Sequence, residues 1–122
     1  MRRVLLDEGV PVGVRTLIAG FFVQTVAEAG WAGLTNGDLM AVAEQAGFEV
    51  MVTADQSIRY QQNMAGRRIA LVVLMTNHWD TIRDNGGGVL PAVEAAREGT
   101  YATITFPKSP RRRRLSRPSL EC

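Results

Sequence analysis

TNGDLMAVAEQAGFEVMVTAD, residues 35–55, decides the fold. Its first half has the period of a helix. Leu39, Val42, Ala43 and Ala46 stand at i, i+3, i+4 and i+7 and so share one face. Thr35 and Asp38 form the Ser/Thr-x-x-acid pattern that opens a helix, and Gly47 stands where a left-handed cap closes one. The second half changes period. Phe48 to Val52 reads as a strand, and it runs into Thr53-Ala54-Asp55. A helix feeding directly into such a strand is half of a βαβ unit and predicts a parallel sheet.

The same alternation extends both ways. Upstream, Val4-Leu5-Leu6 reads as a buried parallel strand ending in acid. Pro11 opens a helix carrying Val14, Leu17 and Ile18 that stops at Gly20, and Phe21 to Val26 reads as a second strand. Gly30-Trp31-Ala32-Gly33-Leu34 is a loop whose tryptophan suits packing better than ligand contact. Downstream, a short helix is expected from Gln56 to about Met64, closed by Gly66. Ile69 to Met75 is apolar throughout and predicts a central strand. A polar stretch from Asn77 to Asn85 leads into Gly86-Gly87-Gly88, read as a flexible break. Val89, Ala92, Val93 and Ala96 again have helical spacing, with Gly99 after the end. Tyr101 to Phe106 alternates Ala102, Ile104 and Phe106 against Thr103 and Thr105, which suits an edge strand. The expectation is an α/β domain: five strands, at least four parallel, with helices on both faces. The first strand should lie between those starting near Phe21 and near Phe48.

Composition narrows the function classes. At 122 residues there is room for one domain. Cys122 is the only cysteine and His78 the only histidine, which excludes an internal disulfide, a cysteine-type zinc site and a histidine-rich metal site. The longest apolar runs are seven residues, too short to span a bilayer, and the start lacks the pattern of a signal peptide. A cytoplasmic protein without membrane partners is expected. The net charge of +2 hides an asymmetry. Residues 1–106 carry eight Arg against eleven acids, a balance of −3; residues 107–122 carry Lys108, Arg111, Arg112, Arg113, Arg114 and Arg117 against Glu121, a balance of +5. The domain is therefore read as residues 1–106, and residues 107–122 as a disordered basic tail. That tail either attracts RNA and other acidic surfaces nonspecifically or is a dispensable solvated extension.

In open α/β sheets, ligands bind outside the carboxyl ends of the strands. Asp7 and Asp55 fall there by sequence alone. If their strands are neighbours, about 4.8 Å apart, the two carboxylates repel unless a cation or proton joins them. A hard divalent ion such as Mg²⁺ suits oxygen donors of this kind. Glu8 adjoins Asp7, and Asp38 begins a helix whose N-terminus can face the same rim. Each acid also has a plainer role open to it: Asp38 as the capping-box partner of Thr35, Asp55 as the N-cap of the helix after it. His78 has no fixed partner in the sequence and reads as a surface or capping residue. The triple glycine lacks the Lys-Ser/Thr of a phosphate loop. Arg59, Arg67 and Arg68 flank Tyr60-Gln61-Gln62-Asn63 and are weak candidates for holding RNA phosphates; a polar solvated loop is the alternative.

Val4-Leu5-Leu6-Asp7-Glu8-Gly9-Val10-Pro11, Gly30-Trp31-Ala32-Gly33-Leu34, Val52-Thr53-Ala54-Asp55 and the run from Tyr60 to Ile69 together resemble a known family. They are similar to the small bacterial PIN-like domains of the VapC-like toxin class, and within it to a compact, uncharacterised branch. The resemblance spans about residues 3–106. It implies a Rossmann-like (PIN-like) sheet and Mg²⁺- or Mn²⁺-dependent cleavage of RNA. It also implies metal binding at Asp7, with Asp38 as the helix acid and Asp55 as the acid of Thr-Ala-Asp. Two positions depart from its pattern: Gly9 replaces an asparagine, and Ser57 replaces a further aspartate. The expected function is a metal-dependent ribonuclease, the toxin of a toxin–antitoxin pair. Its partners would be RNA and a small DNA-binding antitoxin, with a homodimer left open. The alternative is a catalytically silent PIN-like module that binds nucleic acid or a partner protein through the same rim and the arginines.

Overall fold

The computed structural model describes residues 2–58, 64 and 66–107. Its frame is a five-stranded, all-parallel sheet: β1 (Arg3–Leu6), β2 (Phe22–Thr25), β3 (Val50–Thr53), β4 (Ala70–Leu74) and β5 (Tyr101–Ile104). The strand order is β2-β1-β3-β4-β5, so β1 lies between β2 and β3 as the pattern requires. Register aligns Leu6 with Thr25 on one side and with Val52 on the other, and Val52 with Val72. The order reverses between β1 and β3, the place where doubly wound sheets open a crevice.

Both faces of the sheet are covered, and the strands show why. Val4, Leu6, Val50, Val52, Val72 and Leu74 pack on one side against Val14 and Ile18, Ile82, Val89 and Val93. Alternate residues Leu5, Met51, Leu71 and Val73 pack on the other against Val26, Leu39, Met40 and Ala43. A strand buried on both faces cannot alternate with polar residues, hence the continuous apolar runs. β4 is buried along its whole length, as expected of a central strand. β5 is exposed at Tyr101, Ala102 and Thr103 and forms an edge.

The helices supplying these contacts are α1 (Val14–Leu17), α2 (Val26–Ala29), α3 (Asn36–Gln45), α4 (Trp79–Asp84) and α5 (Val89–Ala95). α3 begins at Thr35, whose Oγ1 accepts the Asp38 N–H at 3.3 Å. It is followed by Gly47, whose φ of +89° is the left-handed conformation that lets the chain turn into β3. Trp31 packs edge-on against Phe48 at 5.9 Å, in the anchoring role its loop suggested.

Several elements differ from the pattern. The second strand ends at Thr25, because Thr25 and Glu28 form a complete capping box that starts α2 at Val26. The first helix is one turn long, and Pro11 precedes it, its carbonyl accepting the Val14 N–H. The polar stretch after β4 contains α4, with His78 at its N-cap position and Ile82 on its buried side. Gly86–Gly88 is a turn of 3₁₀ helix rather than a flexible break. Gly86 there lies against Leu17, so close that a Cβ would sit 2.8 Å from its Cδ1. Most of the helix expected from Gln56 to Met64, and the tail beyond Pro107, lie outside the described residues. Among the described residues no helix is long and apolar enough to cross a membrane.

Candidate functional site

Because all five strands are parallel, their carboxyl ends share one rim. Asp7 follows β1 there, its N–H donating to the Val52 carbonyl at 2.9 Å and so continuing the ladder to β3. Thr53 ends β3 and is fully buried. Its Oγ1 donates to Asp7 Oδ2 at 2.8 Å and accepts the Asp55 N–H at 3.1 Å. One hydroxyl thus joins the Asp7 side chain to the Asp55 backbone across the switch point.

The remaining carboxylate oxygens are also occupied by donors. Asp7 Oδ1 accepts the Glu8 N–H at 2.8 Å. Asp55 Oδ1 accepts the Ser57 hydroxyl at 2.7 Å and the Ser57 N–H at 3.0 Å, an Asx-type turn. Asp55 Oδ2 accepts Asn36 Nδ2 at 3.2 Å, which brings the first turn of α3 to the rim. The Ser57 hydroxyl first, and the Asn36 amide and Ser57 N–H with it, hold the Asp55 carboxyl below its ordinary value against the opposing effect of burial. These bonds close a turn at the start of the segment that Asp55 was expected to cap, and most of that helix lies outside the described residues.

Asp38 has a different setting. It is exposed on the first turn of α3, where its N–H is capped by Thr35. Among the described residues, no three His, Cys, Asp or Glu side chains gather into a group able to hold a metal ion. The hard oxygen donors of Asp7 and Asp55 suit an ion held by two carboxylates and water. Glu8 turns toward the loop before α3, its Oε1 accepting the Gly33 N–H at 3.2 Å.

The arginines lie elsewhere. Arg67 and Arg68 precede β4 and so stand at the amino end of the sheet, opposite the acidic rim and about 20 Å from it at 3.3 Å per residue. Arg67 pairs with Glu44 at 3.1 Å, and Glu44 Oε2 accepts the N–H groups of Arg68 and Ile69 at 2.6 and 3.2 Å. Burial would raise the Glu44 carboxyl, but these donors outweigh it and hold it low. Arg59 lies outside the described residues. His78 is exposed at the N-cap position of α4, with Nδ1 3.1 Å from Thr81 Oγ1 and no side-chain bond to the helix's free backbone N–H groups.

Thr53, Asn36 and Ser57 are the rim residues that sequence reasoning did not assign to the site. Thr53 carried a usable signal, a polar residue closing an apolar strand one step before the acid's loop. Asn36 carried none, since only the packing of α3 brings it to Asp55. Beside Asp7, between the ends of β1 and β2, a cleft of about 370 Å³ is lined by Asp7, Glu8, Val10, Val12, Thr25, Val26 and Ala27. No family model, curated protein or solved structure matches the chain.

Proposed function

From the rim at the β1/β3 switch point, we propose that the protein is a PIN-like, Mg²⁺- or Mn²⁺-dependent ribonuclease acting there. The observation that carries the reading is the Thr53 bridge, which fixes one carboxylate and the backbone of the second acid at neighbouring strand ends. Asp7 and Asp55 would hold the ion. Bound there, a divalent ion supplies Lewis acidity toward a phosphodiester and its attacking water. Thr53 orients Asp7 by donating to Oδ2, leaving lone pairs on both Asp7 oxygens for a ligand. Ser57 and Asn36 keep Asp55 charged. Asp38 contributes an exposed negative charge at the edge of the rim and α3's first turn. A toxin role paired with a small DNA-binding antitoxin in the cytoplasm belongs to the same reading.

The second reading, a silent module that binds RNA or a protein without cleaving, is favoured by one observation. Asp55 already accepts three hydrogen bonds, and Ser57 supplies two of them where the resembled family has an acid. One pair of measurements separates the two. With Mg²⁺ or Mn²⁺, the first reading expects a higher melting temperature, by mass action, and cleavage of a structured RNA. Asp7→Asn should remove both. RNA binding without metal stabilisation or cleavage would establish the silent module instead.

A further inference from the structure

The cleft beside Asp7 has a mixed lining. Val10, Val12, Val26 and Ala27 are its apolar residues, and Asp7, Glu8 and Thr25 its polar ones. Val10 and Val26 are buried, but Val12 is 63% exposed, the most open of the large apolar side chains described. At about 370 Å³ it lies in the range of small-molecule sites, roughly 300–1,000 Å³. Its polar groups differ in their capacity for a ligand. Thr25 is committed to its capping box, with Oγ1 accepting the Glu28 N–H at 3.0 Å and the hydroxyl also bonded to the Glu28 carboxyl, so the capacity lies with Asp7. Each Asp7 oxygen accepts one hydrogen bond from the protein and has a lone pair remaining.

We propose that this cleft is a nucleoside subsite, taking a base and its ribose and not the phosphate. Deepening the RNA reading above, it rests on that reading for its class of ligand. The flat apolar face of a base fits against Val12 and Val26. Carboxylates accept from vicinal ribose hydroxyls, which dinucleotide-binding sheets exploit with a single acid. Phosphate is disfavoured inside, because Asp7 and Glu8 repel it in the absence of a cation. Asp7 belongs to both the cleft and the Thr53 bridge, so a sugar held in the cleft presents its phosphate linkage to the switch point.

The test uses the full chain without metal. Adenosine, uridine, free ribose and adenosine monophosphate are titrated separately while methyl and amide NMR signals are followed. Adenosine and uridine should shift Val12, Val26, Ala27 and Thr25. Ribose should shift them less, and the monophosphate should bind more weakly than adenosine. Val12→Asp places a third carboxylate in the lining of the cleft at an exposed position and should weaken nucleoside binding by at least about tenfold. Val12→Leu should preserve it. The proposal is overturned if nucleosides leave these signals unmoved, if Val12→Asp binds them equally well, or if an arginine-rich peptide shifts the same residues and nucleosides do not. The ribonuclease reading fails independently: nucleoside binding without metal-dependent cleavage removes the reaction and keeps the subsite, whereas cleavage whose KM ignores Val12→Asp removes the subsite and keeps the reaction.

Discussion

Thr53 Oγ1 is the atom on which the rim depends. It is buried, it donates to a carboxylate, and it accepts a backbone N–H, so removing it breaks two bonds and leaves the Asp55 N–H without its acceptor. Thr53→Val keeps the shape and should cost about 1–3 kcal/mol in chemical denaturation, because hydrogen bonds to charged groups are worth that much. Thr53→Ser retains the hydroxyl and should recover most of the metal response that Thr53→Val loses. Asp7→Asn should lower the melting temperature without metal no more than Thr53→Val does, since Asn keeps the volume and one acceptor oxygen and removes a charge that its acidic neighbours repel, which offsets the lost bond. The pH dependence also belongs to residues. Asp55 and Glu44 have folded carboxyl pKa values below their unfolded ones. Their contribution to stability is complete above the ordinary carboxylate value of about 4 and is lost as pH falls through the depressed values. The urea midpoint should therefore drop on acidification below about pH 4, and Glu44→Gln should lower the midpoint at pH 7 and flatten that drop.

Between elements, two glycines show how the partner decides the cost of a side chain. A Cβ on Gly13 would stand 2.5 Å from Trp79 Cζ2, where α1 meets α4. The indole ring is rigid and packed on the core, so Gly13→Ala should cost about 1–3 kcal/mol through overpacking. A Cβ on Gly86 would stand 2.8 Å from Leu17 Cδ1, the end of a flexible chain. Leu17 can change rotamer, so Gly86→Ala should cost less than about 1 kcal/mol. Melting curves of the two variants decide the ordering. Neither contact was legible beforehand. The interval from Asn77 to Asn85 reads as polar because α4 buries only Thr81 and Ile82, too little to set a period. α2 was hidden for a related reason: at four residues it is carried by its Thr25–Glu28 capping box rather than by an apolar stripe.

For the molecule as a whole, charge and fold are separable. Residues 108–122 carry six of the fourteen cationic side chains, and their removal changes the net charge from +2 to −3. Truncation after Pro107 should leave the melting temperature unchanged and should reduce RNA affinity and its salt dependence together, since six cationic groups are lost. Loss of folding, or an unchanged salt slope, would count against that division.

Sequence alone determined the α/β alternation, the parallel sheet and the neighbours of β1. Strands buried on both faces are apolar nearly throughout, and the longer covering helices, α3 and α5, carry a 3.6-residue stripe. It also placed Asp7 and Asp55 at the carboxyl rim, because a polar residue ending such a strand emerges there. Tertiary structure alone decided how the candidates were grouped. Asp38 stays exposed at the start of α3, Arg67 is committed to Glu44 at the far end, and Asn36 reaches Asp55. Those partnerships depend on how helices dock and turns close across tens of residues of chain, and no local period records a hydrogen bond between residues brought together by packing.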